Sequence, residues 1–394
     1  REVSSLERRF LQRDPRPYKD FEFNLRELAG SMGDFGTLFP LAVGLIAVCG
    51  MDPAALFVMI GLTNVATGLI YRLPMPVEPK KAVSVAAIAQ GWTASMVAAS
   101  GLGLGLIWLL LAVSGLVRRL ARITPVYLVR GIQLALGLML GWRALEMIAP
   151  EPWWGAAALA AILLLRENRR APAALVLMGL GVLIMAVRGD LAGKVSFGLS
   201  LPRFAVPAWR DVWRSLVLAG FAQSPLTITN AVLATATMIR DLFPEKAVSE
   251  DRLTLNMSVM NVASSFFGGM PMCHGSGGLA GQYYFGARTG GTNILEGLIE
   301  IGLGVFLGRS LVGLLGAFPM ALIGGMMLMV GLQLGRPILG LRGWPLYLAL
   351  LTAGVSVISN MAVGFLAGLA GVALVRKLTP QTGTEGTGGA RGNS

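Results

Sequence analysis

Apolar runs of about 20 residues recur along this chain and constrain its fold more than any other feature. They extend from about Leu28 to Val375 and are separated by polar breaks only a few residues long. A helix of that length matches the roughly 30 Å hydrocarbon layer of a bilayer. Only 14% of the residues are charged, whereas soluble domains contain about a quarter. The sequence therefore predicts an all-α integral membrane protein whose solvent is the lipid bilayer.

The apolar runs, bounded by charged residues or by Pro and Gly, predict fourteen membrane segments. They lie at 28–49, 54–71, 79–93, 101–120, 125–142, 153–165, 171–188, 215–238, 249–267, 275–288, 292–309, 311–334, 344–358 and 359–375. Lys and Arg fall mainly in connections that become cytoplasmic if both termini are cytoplasmic, in agreement with the positive-inside rule. The expected location is therefore the inner (plasma) membrane, crossed many times.

Five parts are predicted along the chain. They are a cytoplasmic leader (1–27), a first inverted repeat (28–188), an external linker (189–214), a second inverted repeat (215–378) and a disordered tail (379–394). The net charge of +12 is spread over the connections instead of forming one basic stripe. Nucleic acid is therefore not an expected partner.

The two halves of the sequence repeat each other. Asn64 precedes Pro74 by the same spacing that separates Asn261 from Pro271. A second set repeats one spacing in both halves, as Pro125, Gly131, Gly137 and Gly141, and again as Pro319, Gly325, Gly331 and Gly335. Because each repeat holds an odd number of segments, seven, the second enters the membrane from the opposite face. This is the inverted-repeat architecture of secondary transporters.

Both halves are interrupted at the matching place by residues that break a helix. Three prolines from Pro74 to Pro79 remove amide donors and favour extended backbone, and glycines follow Pro271 in the second half. Paired interruptions of this kind mark the binding site of inverted-repeat transporters. We therefore expect segments three and ten to be half-helices whose N-termini face each other and attract an anion.

The candidate substrate-binding residues come from these two N-termini and from segments one and eight, which would form the other walls. They are Lys80, Lys81, Ser84, Asp34, Thr37, Gln223, Ser224, Thr227, His274, Gly275, Ser276, Gly277 and Gly278. Lysines supply positive charge, hydroxyl and amide groups donate hydrogen bonds, and glycines admit a ligand to backbone N–H groups. The chain has one histidine and no metal-ligand motif, so no cofactor and no metal are expected.

Asp34, Glu78 and His274 are the candidate carriers of a coupled ion, for which a proton is favoured, because ionisable groups within a membrane are usually functional. Each candidate has a structural alternative. One lysine, most readily Lys80, can reach the cytoplasmic surface and pair with Glu78. Asp34 can pair with Lys81, His274 can be a buried hydrogen-bonding residue, and the glycines can serve close helix packing.

Five stretches carry a family resemblance: Gly33–Thr37, Pro74–Lys80, Gly131–Leu134, Gly268–Gly275 and Gly281–Gly290. With them the chain resembles the prokaryotic and plant molybdate transporter family, a branch close to the SulP sulfate transporters. The resemblance implies a seven-plus-seven inverted repeat, with a core domain of segments 1–4 and 8–11 and a gate domain of segments 5–7 and 12–14.

The resemblance also implies transport of a tetrahedral oxyanion, molybdate or sulfate, held between the starts of segments three and ten. Protons or another coupling ion, the lipid bilayer and a second copy in a homodimer are the other expected partners. Glu78 departs from the pattern, because an uncharged Gln is expected there. SulP relatives often carry a regulatory STAS domain, which this chain is expected to lack.

Other functions remain open from the sequence. A nucleobase–proton symporter of similar architecture would be expected to place a carboxylate on segment eight, but the stretch Phe221–Pro225 has none. An anion channel is the second alternative. An enzyme is disfavoured, because a single histidine and few intramembrane acids provide no catalytic cluster.

Overall fold

The computed structural model describes residues 19–33, 35–117, 119, 125–165, 173–191 and 197–378. Most of the predicted leader and the whole predicted tail lie outside these ranges. The described helices, numbered in chain order, are α1 (Leu25–Ser31), α2 (Phe35–Cys49), α3 (Pro53–Tyr71), α4 (Lys81–Gln90), α5 (Ala94–Ser114), α6 (Val126–Ile148), α7 (Pro152–Leu165), α8 (Ala173–Arg188), α9 (Trp209–Leu242), α10 (Glu250–Ser265), α11 (Ser276–Phe285), α12 (Gly291–Ala317), α13 (Met320–Gly335), α14 (Trp344–Ile358) and α15 (Met361–Leu378).

Several of these helices suit a bilayer. Within the described ranges, five are long and apolar enough to cross one: α3, α5, α6, α9 and α13 with its following 3-10 turn. Shorter apolar helices include α7, α8 and α14. Large apolar side chains are exposed on many of them, as for Leu110, Leu164 and Val187. Hydrocarbon is the solvent that suits such surfaces.

Local chemistry sets where many of these helices begin and end. The Asp52 carboxylate accepts from the Ala54 N–H at 3.2 Å, and Pro53 occupies the first turn of α3. Gly91 and Gly115 end α4 and α5 with positive φ angles of 62° and 65°, a conformation that glycine adopts without strain. Such boundaries are readable from sequence.

Several predicted boundaries differ from the structure, since α5 begins at Ala94 instead of 101 and α6 ends at Ile148 instead of 142. Helix α12 continues to Ala317, so the break between predicted segments eleven and twelve falls at Phe318 and Pro319 instead of near residue 310. Proline both lacks an N–H and disfavours helical backbone in the residue before it. Helix α9 begins at Trp209, inside the predicted linker. The first turns of α9 contain charged residues, so the apolar run in the sequence begins later than the helix does.

Close glycine crossings join the two halves of the chain. Gly61 on α3 lies against the backbone oxygen of Gly297 on α12, and Gly68 lies against that of Gly290, the residue just before α12. On α6 and α13, Gly137 and Gly331 meet in the same way, and they are the glycines paired by the sequence repeat. Membrane helices associate through such contacts, because small residues let their backbones approach.

The N-terminal segment ties several helix ends together at one face. Asp20 accepts hydrogen bonds from Lys246, in the turn after α9, and from Arg72, at the end of α3. The Lys246 hydrogen bond, with that of Arg72, holds the pKa of Asp20 below its usual range. Arg72 and Lys246 therefore lie on the same face of the molecule.

A pair of two-residue strands completes the described fold. Strand β1 (Glu78–Pro79) precedes α4, and β2 (Met272–Cys273) precedes α11. They pair antiparallel, with Glu78 opposite Cys273 and Pro79 opposite Met272. The two helices that follow have 10 residues each, or roughly 15 Å, about half the thickness of a hydrocarbon layer. They therefore begin side by side in the interior of the protein.

Substitutions at the glycine crossings test this packing. A Cβ added to Gly137 would lie 2.4 Å from the Gly331 carbonyl oxygen, so Gly137→Ala must separate α6 from α13. We expect a loss of about 1–3 kcal/mol in unfolding free energy, the usual cost of overpacking. Gly302→Ala on α12 is the matched control, because no atom lies within 4 Å of its Cβ position. Thermal unfolding in detergent measures both, and equal midpoints would contradict the crossing.

Candidate functional site

A cavity of about 550 Å³ lies where the two short helices α4 and α11 begin. One wall comes from the α1–α2 region, β1, α4, α9 and α11, and the other from α6, α13 and the turn after α13. The lining residues in the described part of the chain are Gly33, Thr37, Glu78, Lys81, Leu226, Asn230, Gly277 and Gly278 on the first wall, and Gln133, Val330, Gln333, Leu334 and Pro337 on the second. The cavity therefore separates two groups of helices.

The backbone next to the cavity is held by two asparagine side chains. Asn261 on α10 accepts from the Met272 N–H at 2.8 Å and donates to the Met272 carbonyl at 2.7 Å. Asn293 on α12 does the same for Met75, at 2.9 and 2.7 Å. Because no water competes inside a bilayer, these amides satisfy backbone groups that a broken helix leaves unpaired.

The clamps of the two halves come from positions that the repeat does not pair. Asn64, the counterpart of Asn261, does not hold Met75 itself. Its side-chain oxygen accepts from Asn293 at 2.9 Å, and its amide donates to Glu300 at 2.8 Å. Glu300 lies behind the clamp, buried on α12.

Lys81 and Glu78 form the charged part of the described cavity lining. The Lys81 Nζ atom lies 2.9 Å from Glu78 Oε2, and their side chains are 19% and 2% exposed. Lys81 is in the first turn of α4, where the helix dipole disfavours a cation. The carboxylate compensates that unfavourable position. The ammonium group of Lys81 thus faces the cavity from the first turn of α4, and a negative partner is needed to stabilise it there.

The N-terminus of α11 is open to the same cavity. Gly275 is its N-cap residue, and among the described residues no side chain caps this helix. Among the described residues, no atom lies within 4 Å of a Cβ added to Gly277, so its backbone faces space that they leave open. By contrast, a Cβ at Gly275 or Gly278 would lie 2.5 Å from a Glu78 carboxylate oxygen. Gly277 therefore leaves room for a ligand, whereas the other two glycines leave room for Glu78.

The N-terminus of α4 is capped, which differs from the expectation of two open N-termini. The Gln223 carbonyl oxygen accepts from the Ala82 N–H at 2.8 Å, and its amide donates to Thr227 at 2.8 Å. Both side chains come from α9 and are buried. Gln223 and Thr227 thus position α4, and neither is among the residues that line the cavity.

Helix α9 changes its winding beside the cavity. Its backbone is π-helical over Leu216–Gly220 and Thr227–Ala234, and such bulges often occur at functional sites. The second bulge carries Asn230, whose side-chain oxygen accepts from Ser276 at 2.7 Å. Ser276 is thereby tied to α9. Ser224, one turn before the bulge, bonds only weakly back to Gly220, at 3.5 Å.

Beyond Gln223 and Thr227, the predicted site residues that are not part of the described cavity lining are Lys80, Ser84, Ser224, His274, Gly275 and Ser276. Lys80 does not reach the surface as its structural alternative required, since its side chain is fully buried with Nζ 5.5 Å from the centre of the Trp108 ring. Within the described part of the chain, neither Lys80 Nζ nor Ser84 Oγ has a hydrogen-bond partner. His274 is also buried, and its two ring nitrogens lie 3.0 Å from the Pro76 oxygen and 2.9 Å from Asn256.

Asp34 lies outside the described residues, so its place in the site stays a prediction. Its neighbour Gly33 and the nearby Thr37 both line the cavity. On the opposite wall, Gln133 and Gln333 supply neutral polar groups that the sequence argument did not select. Gln133 stands in one of the resemblance motifs, which was the available signal. Gln333 lies in an apolar helix without any such signal.

The arrangement suits an anion better than a cation or a neutral molecule. It offers one ammonium group, an uncapped helix N-terminus and amide side chains as donors. Lys81 and Glu78 give the described lining no net charge. Lys81 and the α11 N-terminus would attract a ligand with more than one negative charge. Without such a ligand, Glu78 balances the charge of Lys81.

Comparison with known proteins identifies relatives of this chain. A family model described as "Molybdate transporter of MFS superfamily" matches residues 26–140 and 215–334. Molybdate transporter 1 of Arabidopsis thaliana is 33% identical to this chain over an alignment of 400 positions, gaps included. The alignment covers 88% of this chain and 87% of the relative.

Solved structures of low identity share the fold. The transmembrane domain of a cyanobacterium bicarbonate transporter, BicA, superposes with a TM-score of 0.66 at 15% identity, over 88% of this chain and 97% of that one. The murine solute carrier 26 family member A9 anion transporter, in its inward-facing state, gives 0.67 at 14%, over 92% and 69%. By its sequence relatives and its family match, this chain is a member of the molybdate transporter family, whose proteins are membrane transporters and not enzymes.

Proposed function

We propose that this protein is a secondary active transporter of a tetrahedral oxyanion, molybdate or sulfate, which it moves by alternating access. The observation that carries the proposal is the meeting of the Lys81 ammonium group with the open N-terminus of α11 at one cavity. A tetrahedral dianion presents oxygen acceptors in several directions. It can therefore accept from the lysine, from backbone N–H groups and from amide side chains together.

Molybdate is the first choice of substrate, because the Arabidopsis relative is a molybdate transporter. Sulfate is the second, since it has the same charge and shape. Both would bind through Lys81, Gly277 and the neighbouring Gly278, with Thr37 and Ser276 close by. Gln223 and Thr227 act by holding α4 in place.

The proposed architecture is fourteen membrane segments in a seven-plus-seven inverted repeat, with α2–α8 forming the first repeat and α9–α15 the second. Two features support it. The pairs α3–α12 and α10–α5 pack alike and would exchange under the pseudo-twofold symmetry, and β1 and β2 pair antiparallel. A core domain would contain α2–α5 and α9–α12, and a gate domain α6–α8 and α13–α15. The cavity lies between these groups, where relative motion would carry the substrate.

Coupling to protons is part of the proposal. Of the three candidate carriers, Glu78 lines the cavity beside Lys81. His274 is held between Pro76 and Asn256, and Asp34 lies outside the described residues. Glu78 is therefore our preferred carrier.

We further propose a plasma-membrane location with cytoplasmic termini. The hydrogen bonds of Asp20 with Arg72 and Lys246 place these residues on one face, and the positive-inside rule favours the cytoplasmic side for Arg72 and Lys246. A homodimer is proposed as the assembled form.

Uptake into proteoliposomes tests the function. We expect labelled molybdate to accumulate above its outside concentration when the outside is acidic, and unlabelled sulfate to compete. Uracil is the control solute and should not compete, because its ring is neutral. Equilibration without accumulation under any ion gradient would indicate a channel instead, and competition by uracil would favour a nucleobase transporter.

Variants of the cavity test the site. Lys81→Ala removes a charge-assisted hydrogen bond of about 1.5–3 kcal/mol, so molybdate affinity should fall by roughly ten- to hundredfold. Lys80→Ala should have a smaller effect, because its ammonium group lies against Trp108 and away from the cavity. Lys19→Ala, at an exposed lysine, is the control for net charge.

Gly277→Val should abolish binding without changing any charge, because its side chain would enter the cavity and block the α11 N-terminus. Gly354→Val on α14 is the matched control, since that glycine also has no atom within 4 Å of its Cβ position. Titration of the purified, folded variants measures both. Unchanged affinity in Lys81→Ala and Gly277→Val would place the anion site elsewhere.

A further inference from the structure

Glu78 occupies the position in which a transported anion would be bound. Its carboxylate accepts from Lys81 at 2.9 Å and packs against Gly275 and Gly278 at the start of α11. These are the lysine and the helix N-terminus that the proposed function assigns to the oxyanion. The chain therefore carries an anion of its own at the substrate site.

The charges do not allow both anions to be bound in this way. Glu78 is 2% exposed, so little water screens it from a dianion in the adjoining cavity. Two negative charges that lie close together in a poorly solvated site repel each other strongly. Lys81 can compensate one of them, and a carboxylate left buried without its cation is unfavourable.

Resting on the proposed function, we propose that Glu78 and the transported oxyanion are alternative ligands of Lys81. Substrate binding displaces the carboxylate from the ammonium group, and the displaced carboxylate takes up one proton. That proton is supplied by the acid form of the buffer in the surrounding solution, which is left as its conjugate base, and it forms an O–H bond on Glu78. The Glu78–Lys81 pair thus goes from no net charge to one positive charge as the dianion arrives.

Among the described residues that line the cavity, Glu78 is the acid that can change its charge in this step. Its titratable neighbours are Lys80, which follows β1, Cys273, which lies opposite Glu78 on β2, and His274, which follows β2. Helices α9 and α11 face the cavity with Leu226, Asn230 and glycines, and α6 and α13 with Gln133 and Gln333 among apolar residues. Asp34 follows the cavity-lining Gly33 in the chain and is outside the described residues. The variant Asp34→Asn distinguishes it from Glu78 as the site of proton uptake.

Binding to purified protein in detergent near neutral pH tests the competition. Glu78→Gln keeps the size of the side chain and removes its charge, so molybdate should bind roughly tenfold tighter or more, the effect expected of one close charge. Glu146→Gln is the matched control, because it removes an exposed carboxylate that pairs with Arg143. Its affinity should equal that of the original protein. Weaker or equal binding by Glu78→Gln would overturn the proposal.

Proton uptake provides the second readout. Calorimetry in buffers of different ionisation enthalpy should give about one proton taken up per molybdate bound, and close to none for Glu78→Gln. Asp34→Asn should retain the uptake. Uptake that persists in Glu78→Gln and disappears in Asp34→Asn would assign the proton to Asp34 and overturn the proposal.

The two proposals fail in different ways. If the original protein and Glu78→Gln both bind neither molybdate nor sulfate, the proposed function is wrong. If the original protein binds the oxyanion but Glu78→Gln binds it no more tightly, the function stands and the competition is wrong. The double variant Glu78→Gln/Lys81→Ala should lose the gain in affinity, because the gain depends on the lysine that Glu78 releases.

Discussion

The antiparallel pairing of Glu78–Pro79 with Met272–Cys273 is the interaction on which the rest of the structure depends. Two residues on each side are a short ladder, and backbone groups that it leaves unpaired would be costly away from water. Asn261 and Asn293 meet this requirement by bonding the N–H and the carbonyl of Met272 and Met75. With its backbone satisfied, the broken region can exist inside the protein, and two short helices can begin at the same place.

That placement explains why the charges at the site are arranged as they are. A lysine in the first turn of a helix opposes the helix dipole, and Lys81 is stable there because Glu78 lies 2.9 Å away. Glu78 in turn is buried at the start of α11, where glycines leave room for its oxygens. Lysine, carboxylate and helix N-terminus therefore form one electrostatic unit, and any anion that enters the cavity must interact with all three.

The packing of the long helices makes room for this unit. Glycines bring α3 against α12 and α6 against α13, so the backbones themselves form the contacts. The cavity lies between the second of these pairs and the elements that carry β1, α4 and α11. Few polar side chains come from the side of α6 and α13, and those in the described lining are the neutral Gln133 and Gln333. Charge in the described lining is thus concentrated on one wall.

The sequence by itself determined the membrane class, most helix positions and the two interruptions. These follow from apolar runs, prolines and glycines, which act on their own neighbourhood in the chain. Only the tertiary structure decided that Lys81 and not Lys80 faces the cavity, that Gln223 caps α4, and that Asn293 and not Asn64, the repeat counterpart of Asn261, holds Met75. Each of these depends on which side of a helix contacts a partner, and in most cases the partner is more than a hundred residues away in the chain. Local sequence carries no information about such long-range contacts.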